Sequence, residues 1–104
     1  MSDLTELKME IQGFADRRDW RQFHTPKNLA MAICGEAGEL AAELQWLTPE
    51  ESMALSRDQL QDVGMEIADV AIYLIRLSDI LDIDLAAAVR QKIAINEVRF
   101  PDAQ

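Results

Sequence analysis

Two short acidic pairs interrupt the two most apolar stretches of this sequence, and they constrain how those stretches can pack. Glu36 and Glu39 form the first pair, and Glu66 and Asp69 form the second. Because an α-helix turns by about 100° per residue, side chains three residues apart project from one face. The spacing therefore predicts two helices that present carboxylates to each other.

The residues around both pairs are mostly Ala, Ile, Leu, Met and Val. Helices that are apolar on almost every side are usually buried, whereas carboxylates are rarely buried unless they are paired or bind metal. A solvated helix face is the alternative for any single E-x-x-E motif. We interpret the four acids as lining an internal cleft around a hard divalent cation. Glu43 and Tyr73 extend the two stripes by a further turn.

The 104 residues suggest one domain, over residues 1–104, and no segment alternates polar and apolar residues as a strand would. The predicted class is all-α, a four-helix bundle-like fold with short links between antiparallel neighbours. Apolar residues on more than one helix face also predict assembly as an oligomer. The predicted helices cover about residues 3–18, 26–46, 56 or 58–81 and 84–98, with a short helical turn after Thr48.

The strongly acidic composition limits the classes of partner. A net charge of −9 argues against binding to nucleic-acid polymers, which requires cations opposite the phosphates. It does not exclude a small phosphorylated ligand that arrives with Mg²⁺. No apolar run reaches the ~20 residues needed to span a bilayer, and the N-terminus lacks signal-peptide features, so we expect no membrane partner and a cytoplasmic protein. The single Cys34 is predicted to be a small core residue.

Carboxylate oxygens select Mg²⁺, with Mn²⁺ as the alternative. A di-iron site in a helical bundle normally requires Glu-x-x-His pairs, and the only histidine, His24, lies outside both acidic helices. A zinc site would need Cys and His ligands that are absent here. No Ser, Cys or His arrangement suits a covalent intermediate.

Two further groups of residues have the spacing of a binding site. Lys92, Asn96 and Arg99 share one face of the last helix, either as a solvated face or as a phosphate-contacting edge. An aromatic group next to the acidic helices would suit a nucleobase, which stacks on flat apolar side chains, although such residues are more often core. The members of this group are Trp20, Phe23, His24, Trp46 and Tyr73.

Several ordered motifs together carry a family resemblance. They are D-W-R-Q-F-H-T-P-K-N-L-A over residues 19–30, G-E-A-G-E-L over 35–40, E-I-A-D-V-A-I-Y-L over 66–74 and K-I-A-I-N-E-V-R-F-P over 92–101. The chain resembles the small MazG-like nucleotide pyrophosphohydrolases, in particular the dCTP pyrophosphatase branch of the all-α NTP pyrophosphatase superfamily. Gly35 replaces the first Glu of that family's E-E-x-x-E motif, as in the dCTP pyrophosphatase branch.

The resemblance implies hydrolysis of nucleoside triphosphates to a monophosphate and pyrophosphate, with dCTP-like substrates favoured and a housecleaning role in the nucleotide pool. It implies a homotetramer, built as a dimer of dimers, and Mg²⁺ ligands matching the four acids chosen from helical geometry. The implied metal ligands are Glu36, Glu39, Glu66 and Asp69. The implied contacts with base and sugar are Trp20, Phe23, His24, Trp46 and Tyr73, and those with the phosphates are Lys92 and Asn96.

The identity of the general base stays open at this point. Glu43 is the candidate for orienting or deprotonating water, with Glu36 and Glu39 as alternatives. The competing functions are a non-catalytic helical module that binds nucleotide or protein and regulates a partner, and a phosphohydrolase acting on another polyphosphate. An intact set of four acids argues against the purely binding module.

Overall fold

A computed structural model describes residues 2–103, and this range contains helices and no strand. The all-α prediction is confirmed, and the predicted helix ends agree with the structure to within about two residues. A single 3₁₀ turn, Arg21–Phe23, lies between the first two helices. The α-helices are α1 Asp3–Arg17, α2 Pro26–Leu44, α3 Pro49–Ser52, α4 Arg57–Ile80 and α5 Leu85–Arg99.

Side-chain caps explain where these helices begin. Thr25 accepts a hydrogen bond from the backbone N–H of Asn28 at 3.2 Å, directly before a proline in the first turn of α2. Ser56 opens α4 with a capping box, and Asp84 opens α5 by accepting from a backbone N–H at 3.0 Å. Each cap satisfies backbone donors that have no partner inside the helix, so the local sequence determines these boundaries.

The end of α1 folds the chain back towards the helix it has just left. Asp19 adopts a left-handed conformation with φ of 57°, and the N–H of Trp20 donates to the carbonyl of Ala15 at 3.0 Å. This is the hydrogen-bonding pattern of a Schellman motif. It places the Trp20 ring edge-on to that of Phe14, with 5.6 Å between the ring centroids.

The main interface lies between α2 and α4, and α1 packs on α4 as well. The two helices are antiparallel, because Glu36 of α2 lies near Glu66 of α4, while His24, just before α2, contacts Arg76 near the end of α4. Among the described residues, α5 makes only isolated contacts with the other helices. The radius of gyration is 16.6 Å, compared with about 13 Å for a compact domain of this length.

A single chain therefore leaves much apolar surface exposed. The prediction that the apolar helices are buried is wrong for a single chain, and so is the core assignment of Cys34, which is exposed. Burial on all sides of α4 and α5 would need more neighbours than one chain supplies. The exposed apolar side chains of these two helices are Leu60, Met65, Ile67, Ile72, Leu74, Val89, Ile93, Ile95 and Val98. Over residues 2–103, no helix is long and apolar enough to cross a membrane.

Candidate metal centre

The antiparallel packing of α2 against α4 brings acids from both helices together. Glu36 of α2 and Glu66 and Asp69 of α4 each offer one carboxylate oxygen, and these three oxygens lie within 4.8 Å of one another. We call these three residues the acidic group. Their meeting follows from the i, i+3 spacing on α4 and from the position of Glu36 on the facing helix.

The other two acids of α2 lie further along the same helix. Glu39 and Glu43 do not join the three oxygens of the acidic group, but their charges reach Glu66. Desolvation, followed by the charges of Asp69, Glu36, Glu39 and Glu43, raises the pKa of the Glu66 carboxyl above its ordinary value. Four neighbouring carboxylates therefore disfavour ionisation at this position, which is a place where positive charge would be stabilised.

The donor set fits a hard divalent cation. Within residues 2–103, the one contact between a cationic nitrogen and a carboxylate within 4.0 Å joins Arg76 and Asp79. No Lys or Arg nitrogen therefore lies within that distance of the acidic group. Oxygen atoms on opposite sides of a six-coordinate Mg²⁺ are about 4.2 Å apart, twice its usual bond length to oxygen. Carboxylate oxygens within 4.8 Å of one another thus need only a small adjustment to share one ion.

The line along which α2 packs on α4, here called the groove, carries a different chemistry at its other end. One face of α4 carries, in order, Glu66, Asp69, Tyr73 and Arg76. Because a helix rises 1.5 Å per residue, Arg76 lies about 10 Å along the helix from Asp69. Arg76 Nε donates a hydrogen bond to His24 Nδ1 at 3.0 Å. Burial and then the charge of Arg76 hold the pKa of His24 below its ordinary value.

The predicted aromatic residues fall into two sets. Trp20 and His24 contact each other edge-on at 6.2 Å, and Trp20 also contacts a ring of α1. Tyr73 is half-buried on α4 between the acidic group and Arg76, while Phe23 is exposed. Trp46, beyond the end of α2, is 87% exposed and has no aromatic partner among the described residues. The structure thus joins Trp20 with His24 but leaves Trp46 apart from them.

The polar residues of α5 are not brought to the acidic group by the packing of one chain. Lys92 and Arg99 are exposed, and Asn96 borders a small cavity at the end of α5 with Ile93 and Phe100. None of the acids on α2 or α4 borders that cavity. A phosphate-contacting role for Lys92 and Asn96 therefore stays a prediction.

Arg76 is the buried cation beside His24 that sequence reasoning missed. A signal was available, since Arg76 is a lone cation in an apolar run and lies seven residues after Asp69, on the same helical face. The contact with His24 was not available, because it joins residues 52 positions apart.

Comparison with known proteins identifies named relatives. The chain is 42% identical over 106 residues to dCTP pyrophosphatase 1 of Homo sapiens and 40% identical over 103 residues to dCTP pyrophosphatase 1 of Bos taurus. Both alignments include 97% of this chain, which spans 59% of the length of these curated relatives. No family model matches the sequence.

The fold also resembles a solved structure. A crystal structure of a pyrophosphatase from Archaeoglobus fulgidus superimposes with a TM-score of 0.91 at 37% sequence identity. The match covers 98% of this chain and 95% of that one. The helices of the two proteins therefore share one arrangement over almost their whole lengths.

Repulsion within the acidic group gives the first prediction. In EDTA at low salt, Asp69→Asn should raise the free energy of unfolding by about 0.5–2 kcal/mol, the usual scale for relieving unfavourable surface charge. Asp102→Asn removes the same charge outside any helix and is the matched control. Thermal melting followed by circular dichroism measures both. With excess Mg²⁺ the wild type should become more stable than Asp69→Asn, because only the wild type keeps its full set of metal ligands. A loss of stability in EDTA would instead mark Asp69 as structural.

Proposed function

This chain belongs to the all-α NTP pyrophosphatase superfamily, and we propose that it hydrolyses nucleoside triphosphates between the α- and β-phosphates, with dCTP-like nucleotides as the favoured substrates. The products are a nucleoside monophosphate and pyrophosphate. The observation that carries the proposal is the acidic group, three carboxylates from two facing helices with no Lys or Arg nitrogen within 4.0 Å of them in residues 2–103.

In this proposal, the metal is Mg²⁺ or Mn²⁺, held by Glu36, Glu39, Glu66 and Asp69. When bound, such an ion neutralises charge on phosphate oxygens and favours hydroxide over water. The first, third and fourth of these acids already form the acidic group. Glu39 is the fourth proposed ligand because it lies on the same face of α2 and its charge acts on Glu66.

Glu43 is the proposed general base. It lies outside the three oxygens of the acidic group, yet its charge contributes to the raised pKa of Glu66. A carboxylate that is close to the metal ligands but not itself occupied by metal is free to orient water and accept its proton. Glu36 and Glu39 are the alternatives if metal binding leaves one of their oxygens free.

The nucleoside would lie at the Arg76 end of the groove, and the phosphates at the acidic end. The contacts proposed there are Trp20, His24 and Tyr73. His24 is held beside Arg76 and meets the Trp20 ring, while Tyr73 lies between the acidic group and Arg76 on α4. Phe23 and Trp46 are the remaining proposed contacts with base and sugar. Trp46 follows the C-terminal end of α2, which the antiparallel packing places away from Arg76, so it would reach this nucleoside from a second copy of the chain. Phe23 and Trp46 are both exposed in a single chain, so their rings are available for stacking.

A homotetramer, as a dimer of dimers, is the proposed assembly. Nine large apolar side chains of α4 and α5 are exposed in a single chain, and packing of further copies would bury them. Packing of a second copy would also give α5 the neighbours that it lacks within one chain. Lys92 and Asn96, the proposed phosphate contacts, lie on α5 and would gain neighbours in the same way. We further propose a housecleaning role in the cytoplasm, where such an enzyme would have access to the nucleotide pool.

A nucleotide screen tests the activity. With Mg²⁺, dCTP should yield monophosphate and pyrophosphate, and EDTA should abolish turnover. Asp69→Asn and Glu39→Gln should remove activity while the helical spectrum stays unchanged, and Glu43→Gln should lower kcat by about 10²-fold or more. Asp102→Asn should behave as wild type. Nucleotide binding without any product would favour the regulatory module, and turnover of a different polyphosphate alone would identify the other hydrolase.

Trp46 provides a test of the proposed contact with the base. Trp46→Ala should weaken binding of dNTPs by ~1–3 kcal/mol, the usual scale for one stacking partner. Because Trp46 is 87% exposed, the substitution should leave the melting temperature almost unchanged. The measurement is KM for dCTP, dTTP, dATP and dGTP alongside Mg²⁺ affinity. Selectivity among the bases should flatten while metal affinity stays constant. If every KM is unchanged, the base does not stack on Trp46.

A further inference from the structure

Arg76 is the only charged side chain that is buried among residues 2–103, with 1% of its surface exposed. Burying a guanidinium is costly unless its donors are paired. Its Nε donates to His24 Nδ1 at 3.0 Å, and Nη1 lies 3.6 Å from Asp79 Oδ2, an ion pair too long for a hydrogen bond. Nη1 and Nη2 have no hydrogen-bond partner within the described chain. The one hydrogen bond that this buried cation makes is therefore directed at the histidine ring.

The chemistry of arginine determines the state of that ring. Arginine carries only donors and stays protonated in proteins, so the nitrogen that faces its Nε–H must be an acceptor. Nδ1 of His24 therefore carries no proton, and the neutral ring holds its proton on Nε2. An imidazolium would place two N–H groups against each other. This conclusion follows from the identity of the two partners and their 3.0 Å separation.

The rest of the ring is held on one side and open on another. The Trp20 ring meets His24 edge-on at 6.2 Å, with 64° between the ring planes. The Nε2 edge lies across the ring from Arg76, and no described residue accepts a hydrogen bond from it. His24 is half-buried, so part of the ring stays exposed in a single chain. The result is a single N–H donor with no acceptor among the described residues, on a ring that is only partly buried.

We infer that Arg76 is a positioning residue that holds His24 as the Nε2–H tautomer, so that the groove offers one fixed donor to an acceptor atom of the bound nucleoside, such as a base carbonyl oxygen. The inference rests on the proposed function for its ligand, because it takes the nucleoside to lie at this end of the groove. Arg76 itself does not touch the substrate, and acts through His24.

His24 is the only histidine of the chain, so its ring nitrogens can be observed directly. In protein labelled with ¹⁵N-histidine, the wild type should show one unprotonated nitrogen, assigned to Nδ1, and one N–H, assigned to Nε2. A ring with the proton on Nδ1, or an equal mixture of the two tautomers, would overturn the inference. This measurement uses the wild-type chain without substrate, and its result does not depend on how any variant folds.

Two substitutions at one position then separate positioning from support of the fold. Arg76→Met removes the donor and the charge while filling similar space, so the ring should populate both tautomers. Arg76→Lys keeps a charge and a donor near the same place and should restore the single tautomer. Arg90→Met on α5 removes an exposed arginine and is the control for charge alone. If Arg76→Met changes the melting temperature but leaves the tautomer as in wild type, Arg76 is structural.

The pH profile of the same signals gives a second readout. The charged groups of α4 that face His24 are Arg76 and, behind it, Asp79, while the Trp20 ring facing it from the connection is uncharged. The pKa of His24 is lowered from 6.5 in the folded state, so the unfolded chain takes up a proton first as the pH falls. The free energy of unfolding should therefore decline below pH 6.5 until the folded-state pKa is passed. In Arg76→Met the pKa should move back towards 6.5 and this decline should shrink.

Kinetics connect the tautomer to the substrate. Arg76→Met should raise KM for dCTP about tenfold, the equivalent of one hydrogen bond to a neutral group, with a smaller change in kcat and unchanged Mg²⁺ affinity. A tautomer that is lost without any change in KM would overturn the role towards the nucleoside. If no triphosphate is hydrolysed by wild type, the proposed function fails, whereas the nitrogen spectra still decide whether Arg76 fixes the ring.

Discussion

The packing of α2 against α4 in opposite directions is the constraint on which the rest of this structure depends. It takes two i, i+3 acidic spacings that are unremarkable by themselves and brings three carboxylate oxygens within 4.8 Å. The same packing places the residue before α2 beside the last turns of α4, where Arg76 contacts His24 at 3.0 Å. A parallel pair of helices could form the acidic group or the contact between Arg76 and His24, but not both. One interface thus produces an anionic end and a cationic end about 10 Å apart along α4.

This separation of charge suits a ligand with two chemically different halves. Polyphosphate oxygens need a cation between them and the acids, and the acidic group has no Lys or Arg of its own within 4.0 Å in the described chain. A nucleoside needs a flat contact and a few directed hydrogen bonds, which a ring held by Arg76 and Trp20 can supply. The raised pKa of Glu66 and the lowered pKa of His24 record the two environments at opposite ends of one groove.

Local sequence was sufficient to predict the helices, because their ends are determined by residues within one turn. Thr25 and Ser56 each cap a backbone N–H three residues ahead, and a Pro or a capping box follows in the expected place. Helical spacing also singled out the three acids that meet, Glu36, Glu66 and Asp69, but it included Glu39, which lies outside that group. Spacing did not predict Arg76, whose importance arises from a partner 52 residues away. The burial of the apolar helices was also overpredicted, because the sequence does not show how much of each apolar face a single chain can cover.

The central claim is that a divalent cation binds the acidic group and lies in the same groove as His24. Paramagnetic broadening of the His24 imidazole signals by Mn²⁺ tests both parts, because the effect requires binding and falls steeply with distance. The account predicts broadening that corresponds to a separation of about 10–15 Å, given the rise between Asp69 and Arg76, and its loss in EDTA and in Asp69→Asn. No broadening at saturating Mn²⁺, or broadening that persists unchanged in Asp69→Asn, would contradict it.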